Sequence, residues 1–460
     1  MIRRIGAGLF LILVAAARLA HEGVIWIEEA YPAAGALQIL DGKVPYRDFF
    51  FDKPPLAALT PILWLAFDGW PMRVAGAAFV ILVCWLAWRI ADDMWGPHEG
   101  LLAGGLTGFF LTFGTPSAVM PLAPDLLMLA PHLAAVFLAW DGRPFWAGLM
   151  AGVALLVSTK GIFVLVVVLL WQWRSAALVL AGYGVPAFAS AAALASLGAL
   201  GEYWRQVWWW GSRYAADSHL ANALGAGVER TINWAGFHAT IVLGAAWFWL
   251  RGYSDDGRRL ALWTMLMFAS VALGLRWFPR YYFAVLPPLT LVASRGLALM
   301  DTRRAALVLA LLAVPLARYG PRYCRVGDPA WADTAMYRDS ARAAGILRAQ
   351  AQPGDTLLVW GYRPDIFQMT RMPAGTPFLD SQPLTGVIAD RHLTDSRPTF
   401  PELAAANRRR LSRMTPTWVV DGLGPYNARL AISAEPDLRD WLQGYSEFAR
   451  TQFCRIYRRQ

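Results

Sequence analysis

Long apolar runs alternate with short polar connections through the first two thirds of the chain. The first run follows Met1–Arg4 and continues to about Ala17. Apolar character resumes through Ile27, which predicts a retained membrane helix rather than a cleaved signal peptide. A bilayer core of about 30 Å requires about 20 apolar residues per helix, and fewer where protein shields the helix. Ten further segments fit this requirement: 72–90, 100–114, 122–140, 144–158, 161–173, 175–197, 235–250, 259–275, 281–299 and 304–318. The pattern predicts about 11 spans, and the apolar stretch 56–67 is compatible with a segment that enters only the membrane interface.

The connections between these runs alternate in charge. One set is short and basic or mixed, as cytoplasmic loops are, and comprises 89–99, 141–143, 173–174, 251–259 and 301–304. The other set is richer in Trp, Tyr, Pro and acidic residues and comprises 28–71, 114–124, 198–234 and 276–280. This alternation predicts a cytoplasmic N-terminus. With an odd number of spans, everything after about Tyr319 lies outside the cytoplasm.

The last third of the chain has the pattern of a small soluble α/β domain. Amphipathic spacing predicts a helix over 333–352, and shorter helices are expected near 401–414 and 437–444. Buried strands are expected at 356–360, 417–420 and 453–457. We therefore expect a transmembrane domain over 1–318, with a first external loop at 28–71, and an extracytoplasmic α/β domain over 319–460.

Composition supports a membrane protein and excludes two other classes. Of the 460 residues, 57% are hydrophobic and 16% are charged, whereas about 25% are charged in a typical soluble protein. The net charge of +10 arises from residues that punctuate apolar runs or lie in the last third, so it does not indicate nucleic-acid binding. Three cysteines, Cys84, Cys324 and Cys454, are too few for a disulfide scaffold. The sequence leaves open whether Cys324 and Cys454 form a disulfide bond.

Charged residues concentrate in the first external loop. Glu28-Glu29 stands at the exit of the first span, Asp48 follows in the middle of the loop, and Asp52-Lys53 directly precedes Pro54-Pro55. One interpretation is a solvated loop that interfacial aromatic residues anchor. The other is a carboxylate that acts as an acid or base beside a cation that holds an anionic group.

These residues resemble motifs of the polytopic GT-C glycosyltransferases that use polyprenyl-phosphate-linked sugars, in the branch of the protein O-mannosyltransferases and lipid A aminoarabinose transferases. That family has an Asp-Glu pair opening its first external loop, where this chain has Glu28-Glu29. Asp52-Lys53-Pro54-Pro55-Leu56 matches its second element. The resemblance implies that Glu28 acts as the base and that Lys53 binds the donor phosphate.

Further matches extend the resemblance over about residues 5–300. Asp125 stands where the family has an acid, although Asp is also favoured as a helix N-cap. Lys160, in Thr159-Lys160-Gly161, matches a family motif but could also be a lysine that reaches the interface. Arg276, Arg280 and Tyr281 resemble the family's late external loop, with contact to lipid phosphates as the alternative.

Together, these observations predict a bacterial inner-membrane glycosyltransferase of the inverting type. Its partners would be a polyprenyl-phosphate sugar, a lipid, glycan or protein acceptor, and membrane lipids, but no nucleic acid. Glu28 is the expected base, Asp125 would orient or share that task, and Glu29 and Asp48 are further candidates. A divalent metal ion is a weaker expectation, with Asp52 and His219 as ligands.

Two other classes of protein fit parts of the pattern. A transporter would also have charged residues at membrane depth and a broken helix near Lys160. However, the two halves of the chain show no matching Gly/Pro-interrupted segments. A noncatalytic envelope scaffold would not require the carboxylates of the first loop.

Overall fold

The computed structural model describes residues 2–217, 220–251, 255–326, 328 and 330–460. The helices of the first half are α1 (Ile2–Leu19), α2 (Ile27–Leu40), α3 (Pro55–Leu59), α4 (Trp70–Trp95), α5 (Pro97–Phe110), α6 (Pro116–Val119), α7 (Pro124–Leu127), α8 (Leu129–Trp140), α9 (Pro144–Val157), α10 (Gly161–Trp171), α11 (Ala176–Ser196), α12 (Leu200–Tyr203) and α13 (Trp210–Ala216). A 3₁₀ helix at Thr60–Trp64 follows α3, and a π-helix at Trp204–Trp209 joins α12 to α13.

The second half continues with α14 (Ala223–Phe237), α15 (Ala239–Arg251), α16 (Asp255–Ala272), α17 (Leu286–Ala298), α18 (Thr302–Ala310), α19 (Ala313–Tyr323), α20 (Ala332–Gln350), α21 (Asp365–Thr370), α22 (Gln382–Thr385), α23 (Pro401–Leu411) and α24 (Arg439–Gln443). The strands are β1 (Leu357–Trp360), β2 (Trp418–Asp421), β3 (Tyr445–Arg450) and β4 (Arg455–Arg459). Pro279–Ala284 is a 3₁₀ helix that leads into α17.

All of the segments expected to span a membrane contain helical residues. Within the described residues, three helices are long and apolar enough to cross a bilayer, namely Trp70–Trp95, Trp173–Ser196 and Thr302–Tyr323. Several others are apolar but shorter, including Pro124–Trp140, Pro144–Val157, Gly161–Trp171 and Ala239–Arg251. The polytopic helical architecture is thus observed, whereas the number of 11 spans stays a prediction.

The residues fall into two compact units, and each unit combines separate parts of the chain. Unit 1 contains Met1–Glu22, Arg73–Ala192 and Leu220–Val326. Unit 2 contains Gly23–Met72, Ala193–His219 and Gly327–Gln460. Unit 2 therefore includes the whole of the predicted first external loop, 28–71, and most of the C-terminal segment. The division of the chain at residue 318 stays a prediction.

Helices of unit 1 pack through small residues. A Cβ atom on Gly296 of α17 would lie 1.8 Å from the carbonyl oxygen of Gly244 on α15. The two backbones therefore approach more closely than any larger residue would allow, which is typical of helix packing in membranes. The buried Arg18 of α1 donates hydrogen bonds to the carbonyl oxygens of Val119 and Met120, so its charge is satisfied within this unit.

A four-stranded mixed sheet forms the centre of the C-terminal segment in unit 2. The strand order is β1-β2-β4-β3, with β1 and β2 parallel and the other pairs antiparallel. Successive residues of β1 enter two different core clusters, Leu357 and Val359 one and Leu358 and Trp360 the other. Both faces of the sheet are thus covered, as in α/β domains.

Most predicted elements of this segment are confirmed. The helix expected over 333–352 is α20, and the first two strands are β1 and β2. The third expected strand occurs slightly later, as β4. Strand β3 was not predicted, because it is polar and mostly exposed at the edge of the sheet. The three cysteines are free, with Cys324 exposed and the other two buried.

Candidate active site

The acidic pair that opens the predicted first external loop lies in the first turn of α2. Glu29 is buried and its Oε1 accepts a hydrogen bond of 3.1 Å from the Trp26 main-chain N–H, which caps the helix. Glu28 is half-buried. Carboxylates in a first helical turn are favoured by the helix dipole. Of the two, Glu29 is the one whose carboxylate caps the helix.

Asp48 has a local structural role. Its carboxylate binds the neighbouring Arg47 and accepts a hydrogen bond of 2.8 Å from the Val44 main-chain N–H. The hydrogen bond from Arg47 is the main reason why the pKa of Asp48 falls to about 2. Such a weak base is better suited to closing the turn at 44–48 than to accepting a proton.

Asp52 and Lys53 form an ion pair at the end of this loop. Lys53 Nζ lies 3.0 Å from Asp52 Oδ2, and the Lys53 side chain is 37% exposed. The Tyr46 hydroxyl donates a hydrogen bond of 2.8 Å to the Lys53 carbonyl oxygen, which fixes the backbone at this point. Pro54 and α3 follow directly. Lys53 is thus a partly accessible cation on a fixed backbone.

A buried carboxyl group, Asp380, interacts with this ion pair. Burial raises the pKa of Asp380 to about 7. The charge of Asp52 acts in the same direction, whereas Lys53 and hydrogen bonding from Gln382 favour the carboxylate. Asp380 Oδ1 accepts a hydrogen bond of 2.7 Å from the Gln382 main-chain N–H. A carboxyl group with such a perturbed pKa beside a charged pair is a candidate for a functional site.

Tyr362 connects these groups with Glu28. Burial raises the pKa of the Tyr362 phenol well above its ordinary value. The carboxylates of Asp52, Asp380 and Glu28 raise it further, which means that they lie near the ring. The phenol stays protonated at neutral pH and can donate a hydrogen bond to an anionic oxygen.

A second cluster of charged residues lies in unit 1. Lys160 Nζ is 3.0 Å from Asp125 Oδ1, and Arg280 Nε is 3.5 Å from Asp125 Oδ2. Lys160 Nζ also lies over the Tyr281 ring, 3.1 Å from its centroid, in a cation–π contact. The three charged side chains are largely buried. Two cations therefore converge on one carboxylate.

Local backbone structure explains how these four residues meet. Asp125 is in the first turn of α7, which begins at Pro124. Lys160 precedes α10 at a break in the helical path after α9. Arg280 and Tyr281 belong to the 3₁₀ helix before α17. Each of these residues thus lies at the start of a helix or at a break between helices, and not within a continuous apolar helix.

An aromatic cavity of about 440 Å³ lies in unit 1 and shares the segment 277–283 with this cluster. Its lining includes a stack of rings in which His238 lies 4.1 Å from Trp234 and 4.6 Å from Phe110, measured between ring centroids. Arg230, which also lines the cavity, donates a hydrogen bond to the carbonyl oxygen of Arg276. Arg276 itself is buried next to this loop. Apolar and aromatic side chains thus form most of the cavity wall.

The expected metal site receives no support from the described residues. Among them, no three His, Cys, Asp or Glu side chains come together in a way that could hold a metal ion. Asp52 pairs with Lys53, and His219 lies outside the described residues. The metal ion stays a prediction.

The structure brings the expected residues together in two groups, one in each unit. Asp125, Lys160, Arg280 and Tyr281 form the group in unit 1. Glu28, Asp52 and Lys53 belong to the group in unit 2. Sequence reasoning missed Asp380 and Tyr362 there. Asp380-Ser381 follows an unremarkable apolar pair, and no motif or spacing indicates it.

Comparison with known proteins gives a match in structure only. No protein-family model and no curated protein matches the chain. The crystal structure of ArnT from Cupriavidus metallidurans in the apo state matches with a TM-score of 0.66 and 14% identity, covering 99% of this chain and 98% of that chain. The same protein bound to undecaprenyl phosphate matches with a TM-score of 0.65 and 14% identity, covering 98% and 97%.

A more distant match is the oligosaccharyltransferase of Archaeoglobus fulgidus in complex with zinc and sulfate. It has a TM-score of 0.47 and 13% identity, and covers 95% of this chain and 71% of that chain. A TM-score this low does not establish a common fold, so only the ArnT match bears on the architecture. The resemblance to GT-C glycosyltransferases is therefore confirmed at the level of the fold: the chain has the fold of ArnT along nearly its whole length.

Proposed function

We propose that the chain is an integral membrane glycosyltransferase. It transfers a sugar from a polyprenyl-phosphate-linked donor to a hydroxyl or phosphate group of a lipid, glycan or protein acceptor. The observation that carries this proposal is that one segment, 277–283, contains Arg280 of the Asp125–Lys160–Arg280 cluster and also lines the aromatic cavity of unit 1. Cations beside an apolar cavity suit a ligand with an anionic head and an apolar chain.

The cations of the cluster would hold the donor phosphate. Lys160 and Arg280 can both donate hydrogen bonds to phosphate oxygens, and their low exposure strengthens such contacts. Asp125 would keep the two cations in place when no donor is bound. The ArnT structure bound to undecaprenyl phosphate supports this class of donor, because the two chains share a fold.

The reaction would invert the configuration of the sugar. Glu28 takes the proton of the acceptor hydroxyl as its oxygen forms a bond to the anomeric carbon. The bond from that carbon to the phosphate oxygen breaks, and its electron pair leaves with the polyprenyl phosphate. Cations such as Lys53 favour the transition state because they stabilise the charge that develops on this oxygen.

The proposal includes the location of the protein. It is a bacterial inner-membrane protein with a cytoplasmic N-terminus, about 11 spans and a C-terminal segment, 319–460, in the periplasm. Glu28 and Lys53 would then act on the periplasmic side. The alternation of basic and acidic loops in the sequence supports this orientation.

The test is a transfer assay with the full-length protein in proteoliposomes that contain a radiolabelled polyprenyl-phosphate sugar and a mixture of lipid acceptors. We expect the label to move to an acceptor. Lys160→Ala should raise the KM for the donor by about 10-fold or more, because a charge-assisted hydrogen bond to phosphate contributes about 1.5–3 kcal/mol. Arg303→Gln, a matched change at an exposed cation of α18, should leave the KM unchanged.

Two outcomes would contradict the proposal. Movement of an intact labelled molecule across the bilayer, with no new covalent product, would indicate a transporter. Equal KM values for Lys160→Ala and Arg303→Gln would remove the cluster from donor binding.

A further inference from the structure

Unit 2 exposes a group of large apolar side chains in the segment that follows α3. We define the 59–70 surface by its five members, Leu59, Leu63, Leu65, Phe67 and Trp70. Leu63 is the most exposed, at 84%. Asp68 is the only charged residue between Pro54 and Met72. Large exposed apolar residues grouped this closely along the chain indicate an interaction site, whereas single exposed ones are normal.

The other side of this segment and of the preceding α3 packs into the core of unit 2. Ala57 and Ala58 pack into one core cluster of unit 2, and Ala66 packs into another. Trp64 and Ile62 also pack inward, yet the five members of the 59–70 surface stay exposed. Leaving such large apolar side chains in water is less favourable than burying them. In an aqueous surrounding this orientation would be unfavourable.

The fold holds this orientation in place at some conformational cost. Leu65 and Ala66 have φ angles of 54° and 53°, in the left-handed region that favours glycine. Arg371 donates a hydrogen bond of 3.2 Å to the Leu65 carbonyl oxygen, and Gln368 donates one of 3.2 Å to that of Ala66. Two residues of the C-terminal segment thus stabilise a turn that projects apolar side chains outward.

We propose that the 59–70 surface lies in the interface of the lipid bilayer and anchors unit 2 to it. Trp70, the last member of the surface, is also the first residue of α4, the longest and most apolar of the candidate spans. The surface therefore continues directly into a membrane helix. Tryptophan and apolar residues at the end of a span are typical of the interface.

Arg371 fits the same location. Its guanidinium group lies over the Phe67 ring, 4.3 Å from the centroid, and the residue is exposed. A cation beside interfacial apolar residues suits contact with lipid phosphates. Lipid is thus a better occupant than a soluble protein, because it supplies apolar chains and anionic head groups at one depth. This inference does not depend on the proposed glycosyltransferase activity.

The test measures the accessibility of spin labels in phosphatidylcholine–phosphatidylglycerol proteoliposomes. A nitroxide is attached to Leu63→Cys in a Cys324→Ser background, since Cys324 is the exposed native thiol. The matched control is Leu393→Cys, an exposed leucine of unit 2 among polar neighbours, with 64% exposure. Collisions with molecular oxygen and with a water-soluble nickel chelate are compared.

We expect the Leu63→Cys label to collide several-fold more often with oxygen, and several-fold less often with the nickel chelate, than the Leu393→Cys label. Equal accessibility of the two labels to the nickel chelate would overturn the proposal, because the surface would then face water. Protection of the Leu63→Cys label from both reagents would also overturn it, since protein rather than lipid would cover the surface.

Discussion

Glu28 and Glu29 are adjacent in sequence but have different surroundings. Glu29 is buried and caps α2, whereas Glu28 is half-buried near Tyr362 and close enough to affect the pKa of its phenol. The sequence indicated an acidic pair at a membrane exit, but it could not assign one carboxylate to the helix cap. The distinction depends on which side chain the first turn directs toward the Trp26 N–H.

Glu28→Gln tests the role of this carboxylate as the base. The amide keeps the size of the side chain and loses the ability to accept a proton, so turnover should fall by about 10²-fold or more. Steady-state transfer in proteoliposomes gives the turnover number. Asp41→Asn, an exposed position at the other end of α2, should retain activity. Near-normal turnover in Glu28→Gln would assign the proton to another carboxylate, such as Asp380 or Asp125.

Asp380 gives a prediction on stability. In the unfolded chain this carboxyl releases its proton near pH 3.8, whereas in the folded protein it keeps the proton up to about pH 7. Because the folded state then binds more protons, the free energy of unfolding should fall as pH rises between these values. Asp380→Asn carries no such proton and keeps the oxygen that accepts the Gln382 N–H. Its stability should therefore fall less over this range.

The measurement is the midpoint of thermal unfolding in detergent from about pH 4 to pH 8. The exposed control Asp41→Asn should show the same decline as the wild-type protein. If Asp380→Asn declines as steeply as the wild type, Asp380 is not protonated in the folded state. The result would then remove it from the group around Asp52 and Lys53.

Resemblance to family motifs, and not the spacing of the residues along the chain, predicted the members of the cluster in unit 1. Asp125, Lys160 and Arg280 lie in three separate parts of the chain, and each was a candidate because it resembled a family motif. Only the folded structure shows that Lys160 and Arg280 meet at the carboxylate of Asp125. Asp380 had no motif, and its altered pKa arises from burial that the folded chain creates. Sequence alone therefore could not reveal it.

At the level of elements, the π-helix Trp204–Trp209 supports the predicted first external loop. Gln206 projects from it, and its Oε1 accepts a hydrogen bond of 2.9 Å from the Phe51 N–H. Its Nε2 donates one of 2.8 Å to the Tyr46 carbonyl oxygen. Both partners belong to the loop that positions Lys53. π-Helical turns are rare and are frequent at functional sites.

Gln206→Ala should therefore affect both stability and transfer. Two buried main-chain groups lose their partners, which costs about 1–3 kcal/mol for each group. We expect a lower unfolding midpoint and a higher KM for the donor, because the backbone before Lys53 is less restrained. Thermal unfolding and steady-state kinetics in detergent measure the two effects. Gln352→Ala, at an exposed loop position, should change neither quantity. A normal KM in a destabilised Gln206→Ala would limit Gln206 to a structural role.

Sequence pattern predicted the buried elements better than the exposed ones. Strands β1 and β2 are apolar and buried on both faces, and the sequence indicated each of them. Strand β3 is polar and exposed, and its pairing with β4 depends on tertiary contact. The π-helix had no signal beyond a run of tryptophans. Such a run of tryptophans is also typical of aromatic belts at a membrane interface.

The whole molecule combines a shared fold with little sequence identity. The ArnT fold extends over 98–99% of this chain at 14% identity, so apolar pattern and packing, rather than particular residues, account for the architecture. Unit 2 illustrates why the sequence could not predict the composition of the units. It joins 23–72, 193–219 and 327–460, and contacts over such separations leave no local pattern.

The orientation in the membrane determines where any reaction takes place, and Cys324 provides a native probe for it. Cys324 is the exposed thiol and follows α19, so it reports the end of the last apolar helix. A membrane-impermeant maleimide, applied to cells with a permeabilised outer membrane, should label Cys324. In a Cys324→Ser background, Arg303→Cys lies at the opposite end of this helical pair and should stay unlabelled until the inner membrane is opened. The reverse pattern would place the C-terminus in the cytoplasm. It would also place Glu28 and Lys53 there, because the alternation of loops in the sequence puts them on the same side as the C-terminus.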